Sequence, residues 1–283
     1  VDVTGGGEFA AIERLRRLYP AVGDDCAVVS SPTGVLLLAA DAVVEGVHVD
    51  LTRVGLDDMG WRAVVANVSD VAAMGGRPLH LLVTVGGPPG TDMDLVHRGV
   101  RQAADACGCE VVGGDLVSAP VVVVSVAVTG TCDGEPVLRS GAGAGDSIFV
   151  TGPLGVAAAG GWTARPVARV AEGNAAREAG ATAMIDVSDG LAADLGHVAD
   201  ESDVGVELTH VPVADGASIE QALGGGEDYE LVFTAPDVER VAETFTEAGL
   251  AVPERIGVCV ADPSVRRLEG RPLPSLGWEH RFA

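Results

Sequence analysis

The sequence has no lysine: all 18 of its basic residues are arginine. That absence removes the P-loop lysine on β/γ-phosphates, the strand lysine of protein kinases and any Schiff base. Aromatic residues are scarce, at 4% against 47% apolar overall. The cores must therefore be built from Val, Leu, Ala and Ile, which suits buried sheet covered by helices. The five cysteines are odd in number and contain no C-x-x-C pair. Cys107 and Cys109 flank a single glycine, which is not a structural zinc spacing, so they read as core thiols in a reducing, cytoplasmic compartment. No run of about 18 apolar residues and no basic-then-apolar leader is present, so neither a membrane span nor a signal peptide is expected. Positive charge is also short: 41 acidic residues leave a net charge of −23. Such a surface repels nucleic acids and anionic membranes, which excludes both as partners.

What is present is a chain of 283 residues, enough for two domains. Apolar periodicity predicts helices over 8–19, 57–74, 92–106, 191–201 and 237–248, with Thr91 as the N-cap of the third. Strands are predicted at 27–30, 35–40, 79–85, 110–112, 120–129, 147–151, 183–187, 204–208, 229–234 and 256–260. The small-residue stretch 140–145 marks a boundary between domains 1–139 and 140–283. Strands and helices mix in both halves, and hairpin-like neighbours argue for an α/β (α+β) fold rather than one all-parallel sheet.

The acids that carry chemistry sit beside apolar runs. Asp24 and Asp25 precede one, Asp41 follows Val35–Ala40, Asp115 follows Gly113-Gly114, and Asp186 and Asp189 bracket Val187-Ser188. Each alone is as readily a turn or cap residue. Carboxylates that converged in a cleft would repel and resist desolvation unless a divalent metal were present. Hard oxygen donors without a Cys/His cluster select magnesium. On its helix Asp70 falls opposite the apolar face of Trp61, Val64, Val65, Val68 and Ala72, as a solvated carboxylate or as part of a polar patch with Asn67 facing a cleft. Gly113-Gly114 and Gly224-Gly225-Gly226 offer bare amides, and neither is a Walker loop. Arg139, beside the boundary, is either a phosphate clamp or a surface ion pair. His48 is either structural or functional.

Taken in order, Gly7-Glu8-Phe9, Gly23-Asp24-Asp25-Cys26-Ala27, Asp41 through His48, and Asn67-Val68-Ser69-Asp70 with Ala73-Met74-Gly75 resemble thiamine-monophosphate kinase. Gly113-Gly114-Asp115, Arg139-Ser140-Gly141, Asp186-Val187-Ser188-Asp189-Gly190 and Gly225-Gly226-Glu227-Asp228-Tyr229-Glu230-Leu231 extend the resemblance over nearly the whole chain. It implies the aminoimidazole ribonucleotide synthetase-like fold, with an N-terminal domain that dimerises through its sheet. It also implies ATP-dependent phosphorylation of thiamine monophosphate, several Mg2+ ions and a homodimer. Carried over position by position, Asp25, Asp41, Asp70, Asp115, Asp186 and Asp189 would hold magnesium, with Asp41, Asp70 and Asp115 central to catalysis. Gly114, Asp115, Arg139 and Ser188 would contact ATP, and His48, Glu227 and Trp278 the acceptor. The family's hydroxyl residue before Asp41 is replaced here by Ala39-Ala40, whose backbone carbonyls remain possible metal ligands. The segments around 160–164 and 217–223 are short for the family, the first where a helix and lid are expected.

The acceptor oxygen belongs to a phosphate that is ionised at neutral pH, so direct in-line transfer needs no strong base. Two other readings stand beside this one. One is another ATP-using relative, such as a selenophosphate or aminoimidazole ribonucleotide synthetase. The other is a non-catalytic acidic module that binds cations.

Overall fold

The computed structural model describes residues 12, 15–17, 19, 23–32 and 34–280. Most of the helix expected over 8–19, and the whole Gly7-Glu8-Phe9 motif, lie outside the described residues. The first half of the fold is a five-stranded sheet built from β1 (Ala27–Ser31), β2 (Gly34–Val44), β3 (Arg77–Gly87), β4 (Glu110–Ser118) and β5 (Val123–Cys132). Its order is β1-β2-β5-β3-β4. All pairings are antiparallel except β3 with β4. Leu37 and Val43 of β2, Leu81, Val83 and Val85 of β3, and Val124, Val126 and Val128 of β5 alternate onto one buried face, as the twofold period of a strand requires.

That face is covered by α1 (Leu56–Ala73), which packs on β2 and β5 and lies against α2 (Met93–Cys107). The two helices touch through glycines. A Cβ on Gly99 would stand 1.7 Å from the Asp57 carbonyl oxygen, and one on Gly60 2.2 Å from that of Val96. Asp58 accepts from the Gly55 amide (3.1 Å) and opens α1. Asp92, not Thr91, caps α2 by accepting from the Leu95 amide (3.0 Å), because Thr91 turns its hydroxyl back to the Pro88 carbonyl.

The second half is a seven-stranded sheet of β6 (Ser147–Val150), β7 (Ala183–Asp186), β8 (Gly205–Leu208), β9 (Leu231–Ala235), β10 (Glu254–Val260), β11 (Arg266–Leu268) and β12 (Arg271–Pro272). The order is β12-β11-β8-β10-β6-β9-β7. Its alternation separates two cores. Ile148, Val150, Ile185 and Val232 face α5 (Leu191–Glu201) and α6 (Ile219–Gly224). Phe149, Met184, Leu231 and Phe233 face α4 (Val170–Glu178) and α7 (Val238–Glu247), where Phe233 stacks between Phe149 and Phe245. A short α3 (Val156–Ala159) precedes an irregular stretch, 160–169. The helix α1 also contacts α4 and β7, so one buried rod touches both sheets. No helix among the described residues is long and apolar enough to cross a membrane.

Two strand boundaries differ from expectation in ways that matter. β2 continues through Asp41 to Val44, since β5 pairs with it over its whole length. β1 begins opposite Leu38, and past that point on β2 the Asp41 amide donates to Asn67 Oδ1 (2.9 Å). β4 likewise runs on through Gly113-Gly114-Asp115, so these glycines are strand rather than loop. A Cβ on Gly114, at φ +156°, would lie 1.7 Å from the Val83 carbonyl oxygen, so the approach of β4 to β3 requires glycine.

Candidate active site

Three segments far apart in sequence deliver carboxylates to one point. Asp25 comes from the turn before β1, Asp70 from the last turns of α1, and Asp186 from the end of β7. One oxygen of each lies within 4.8 Å of the others. Ser69 Oγ donates to Asp186 Oδ2 at 2.5 Å. Arg139 Nη2 donates to Asp25 Oδ1 at 2.8 Å, and its amide to Asp24 Oδ1 at 2.8 Å. The Asp25 side chain is essentially inaccessible, and its Oδ2 accepts no hydrogen bond from the described residues.

Burial, followed by the Asp25 charge, pushes Asp186 up to about 7 against the pull of Ser69 and Arg139. Burial and then the charges of Asp41, Asp186 and Asp25 hold Asp70 well above the ordinary carboxylate range. Mutually repelling carboxylates with an orphaned oxygen among them form a donor set for a hard divalent cation.

This cluster lies on the wall of a cavity of about 930 Å³ between the two sheets. Asp41 from β2, His48 beyond it, and Ser188 and Asp189 from the turn before α5 line the same space, as do Glu227 and Trp278. Nine carboxylates and three guanidiniums are among its lining groups. Val44 donates its amide to His48 Nδ1 (3.0 Å), and His48 Nε2 lies 3.3 Å from His280 Nε2. The Trp278 amide donates to the Asp189 carbonyl (3.0 Å), bringing the C-terminal segment back over the cavity. Glu227 and Tyr229 both sit in the left-handed region, at φ +57° and +51°. Backbone strain of this kind in non-glycine residues concentrates at functional sites.

Four expected positions are not brought there. Neither Ala39 nor Ala40 lines the cavity, and Ala39 packs on the first core. Gly114 shares a row of the sheet with Asp41 through Val126 and Val83, which is three strand spacings or about 14 Å. Asp115 lies in the next row with Ala42, Ser125 and Thr84, and so faces the opposite side of the sheet from Asp41. It lines a separate hollow with His97 and Val111 and accepts from its neighbour Leu116.

Sequence reasoning missed Arg62, Asp194, His197, Tyr229, Trp162 and His280, all of which line the cavity. One signal was available. Arg62, Ala66 and Asp70 recur at i, i+4 and i+8, a single stripe of α1. Asp194 is buried and accepts from the Asp189 and Gly190 amides through Oδ2 (3.1 and 2.9 Å), which holds the 188–190 turn. Nothing local in the sequence announces that bond.

Two family models match the chain. AIR synthase related protein, N-terminal domain, covers residues 23–132, and AIR synthase related protein, C-terminal domain, covers 163–268. The thiamine-monophosphate kinase of Methanospirillum hungatei is 35% identical over 274 residues, covering 92% of this chain and 93% of that one. That of Mycobacterium tuberculosis is 38% identical over 265 residues, with 80% of each chain covered. Among solved structures, AaThiL complexed with AMPPCP and TMP superposes with a TM-score of 0.87 at 32% identity, covering 97% of both chains. A HypE–HypF complex superposes with a TM-score of 0.74 at 17% identity over 96% of this chain and 98% of that one, a likeness of fold alone.

Proposed function

The chain belongs to the AIR synthase related family, among its thiamine-monophosphate kinases, and we infer that its inter-sheet cavity is where ATP phosphorylates thiamine monophosphate to the diphosphate. The observation that carries this placement is the Asp25–Asp70–Asp186 cluster with its unpartnered Asp25 oxygen beside Arg139. Magnesium fits this donor set, with Asp41 and Asp189 at hand on the same wall, and when bound supplies the positive charge that lets two polyanions approach. Nine carboxylates against three guanidiniums support the reading that such cations are recruited.

The chain's own residues orient the reactants. Arg139, held by Asp25 and Asp24, presents a fixed guanidinium at the phosphate end. The 188–190 turn offers Ser188 to ATP. His48, Glu227 and Trp278 take the thiamine end. The acceptor phosphate is already ionised, so no residue has to remove a proton, and transfer is direct. A phosphorylated protein isolated after incubation with ATP alone would contradict that step.

We take the chain as two domains, 1–139 and 140–283, meeting at the cavity. Five free thiols support a reducing, cytoplasmic setting. The open face of the first sheet supports a homodimer. Leu82, Val112, Leu116 and Val117 are 44–60% exposed there and on the adjoining edge strand β4, an apolar surface suited to a second copy. On this reading Asp115 and Gly114 of one copy serve the phosphate end of the other copy's cavity.

A mixing experiment tests the arrangement. Asp41→Asn and Asp115→Asn homodimers should each be inactive. Co-refolded together, they should recover about a quarter of wild-type turnover, because half of the dimers are mixed and each mixed dimer has one intact site. No recovery from dimers shown to be mixed would place Asp115 in its own chain's site or outside the reaction. Near-normal kcat in both single variants at saturating magnesium would remove the aspartates from the mechanism.

A further inference from the structure

Arg62 is the one basic residue of α1, and almost all of it is buried: its side chain is 4% exposed. A buried guanidinium is costly unless its donors are taken; Nε has no partner among the described residues, and the two terminal nitrogens are divided between two structures. Nη1 donates to Glu227 Oε2 at 2.7 Å. Nη2 donates to the carbonyls of Trp162 (2.7 Å) and Ala164 (2.6 Å). Glu227 and Trp162 are both non-glycine residues in the left-handed region, conformations that persist only where the surroundings hold them. Both line the cavity. The neighbouring backbone is held to the same helix: Trp61 Nε1 donates to the Pro166 carbonyl (2.7 Å), and Arg165 pairs with Asp57 and Asp58.

The position along α1 says which end of the substrate this concerns. Arg62 and Asp70 lie on one stripe of the helix, eight residues or about 12 Å apart along the axis. Asp70 belongs to the carboxylate cluster. The Arg62 terminal nitrogens are engaged by Glu227 and the 162–164 segment rather than by that cluster. Arg62 stands at the other end of the cavity, where the acceptor's cationic, donor-bearing rings would lie.

We propose that Arg62 is a positioning residue for the acceptor: one arm fixes the Glu227 carboxylate, the other fixes the Trp162–Ala164 backbone, and together these form one wall for the non-reacting end of thiamine monophosphate. The inference rests on the reading of Glu227 as an acceptor contact. It adds that Glu227 and the 162–164 segment act as a unit through α1. Arginine suits the place because its planar fork carries two separate terminal nitrogens, one for Glu227 and one for the two carbonyls, a span that a single ammonium nitrogen does not provide.

The test is steady-state kinetics on Arg62→Met, Arg62→Lys, Glu227→Gln and the Arg62→Met/Glu227→Gln double variant, varying each substrate at saturation of the other. Arg62→Met should raise KM for thiamine monophosphate by roughly tenfold or more, with kcat and KM for ATP within about twofold of wild type. Arg62→Lys should fall between. The double variant should lose less than the product of the single losses. A general structural role would instead raise both KM values together, and that result overturns the proposal. So does an unchanged KM for the acceptor in a folded Arg62→Met protein. If Arg62→Met does not fold, Arg62→Lys decides by the same acceptor-specific rise or its absence. Glu227→Gln separates the two layers. If it leaves acceptor KM unchanged, the assignment of Glu227 fails and this proposal with it. If it raises acceptor KM while the Arg62 variants do not, only the role of Arg62 fails.

Discussion

Replacing Asp186 by Asn should stabilise the metal-free protein and destroy its function. The carboxyl is buried at the meeting point of three acids, and burial and Asp25 raise it to about 7. A carboxyl whose folded-state pKa lies above the unfolded value of about 3.9 contributes its full stability below that value, and loses it as pH rises through the folded one. The loss spans roughly three pH units, or about 4 kcal/mol above pH 7. Charge repulsion is of the same order as this burial-led shift: two unit charges at most 4.8 Å apart repel by about 3–4 kcal/mol or more at an effective dielectric of about 20. Asn carries no charge, and its carbonyl still accepts from Ser69. Metal-free Asp186→Asn should therefore be more stable than wild type by about 4 kcal/mol at pH 8, and by about 2 kcal/mol at pH 5. In a chain of this size the first figure is a rise of roughly 8–16 °C in melting temperature.

The assay is thermal unfolding in chelator at both pH values, repeated in a magnesium titration. Wild type should gain stability with magnesium and overtake the variant, whose response should be weak, and the variant's turnover should fall by roughly 100-fold or more. A variant less stable than wild type at pH 8 in chelator would refute the electrostatic reasoning. An equal gain at pH 5 and pH 8 would do the same.

Two further outcomes follow from the geometry. Gly114→Ala places a Cβ 1.7 Å from the Val83 carbonyl oxygen at φ +156°, so β3 and β4 must separate. The expected loss is about 3 kcal/mol or more by urea unfolding, and a wild-type midpoint would show that β4 does not pair as described. Asp194→Ala leaves the Asp189 and Gly190 amides without their acceptor, which costs about 2–4 kcal/mol for the pair. It should also raise KM for ATP by loosening the Ser188 turn, and an ATP KM equal to wild type in a destabilised variant would confine Asp194 to the fold.

Much of this molecule was legible in its sequence, and the parts that were not share a cause. The strands, the longest helices and the mixed sheets follow from local period. Where an element ends depends on its neighbour. Asp41 and Asp115 read as strand-end residues because Ala39-Ala40 and Gly113-Gly114 have weak strand propensity. Both nevertheless lie within strands, because β5 and β3 run alongside. The helix α4, with Gly173 and Asn174 inside it, has little propensity of its own. It forms where Asn174 donates to the Gly76 carbonyl (3.1 Å) and Ala175 and Ala176 enter the second core.

Asp70 shows the same limit at the site. Helical spacing puts it opposite the face of Trp61, Val64, Val65, Val68 and Ala72, but on a helix buried from both sides the opposite face is not solvent. It is the cavity wall. The ordered motifs identify which acids to consider, while only the packing says that 25, 70 and 186 meet and that 115 faces away. The missing lysine sharpens this further. Of the cavity's three guanidiniums, Arg62 and Arg139 are each committed to a carboxylate, Glu227 and Asp25. Arg139 therefore meets an incoming phosphate only with Asp25 beside it. Arg62 and Arg139 each hold an acid, and on the proposed reading charge neutralisation falls to ions those acids recruit, so acceptor grip and phosphate handling should be separable at the two ends of one helix.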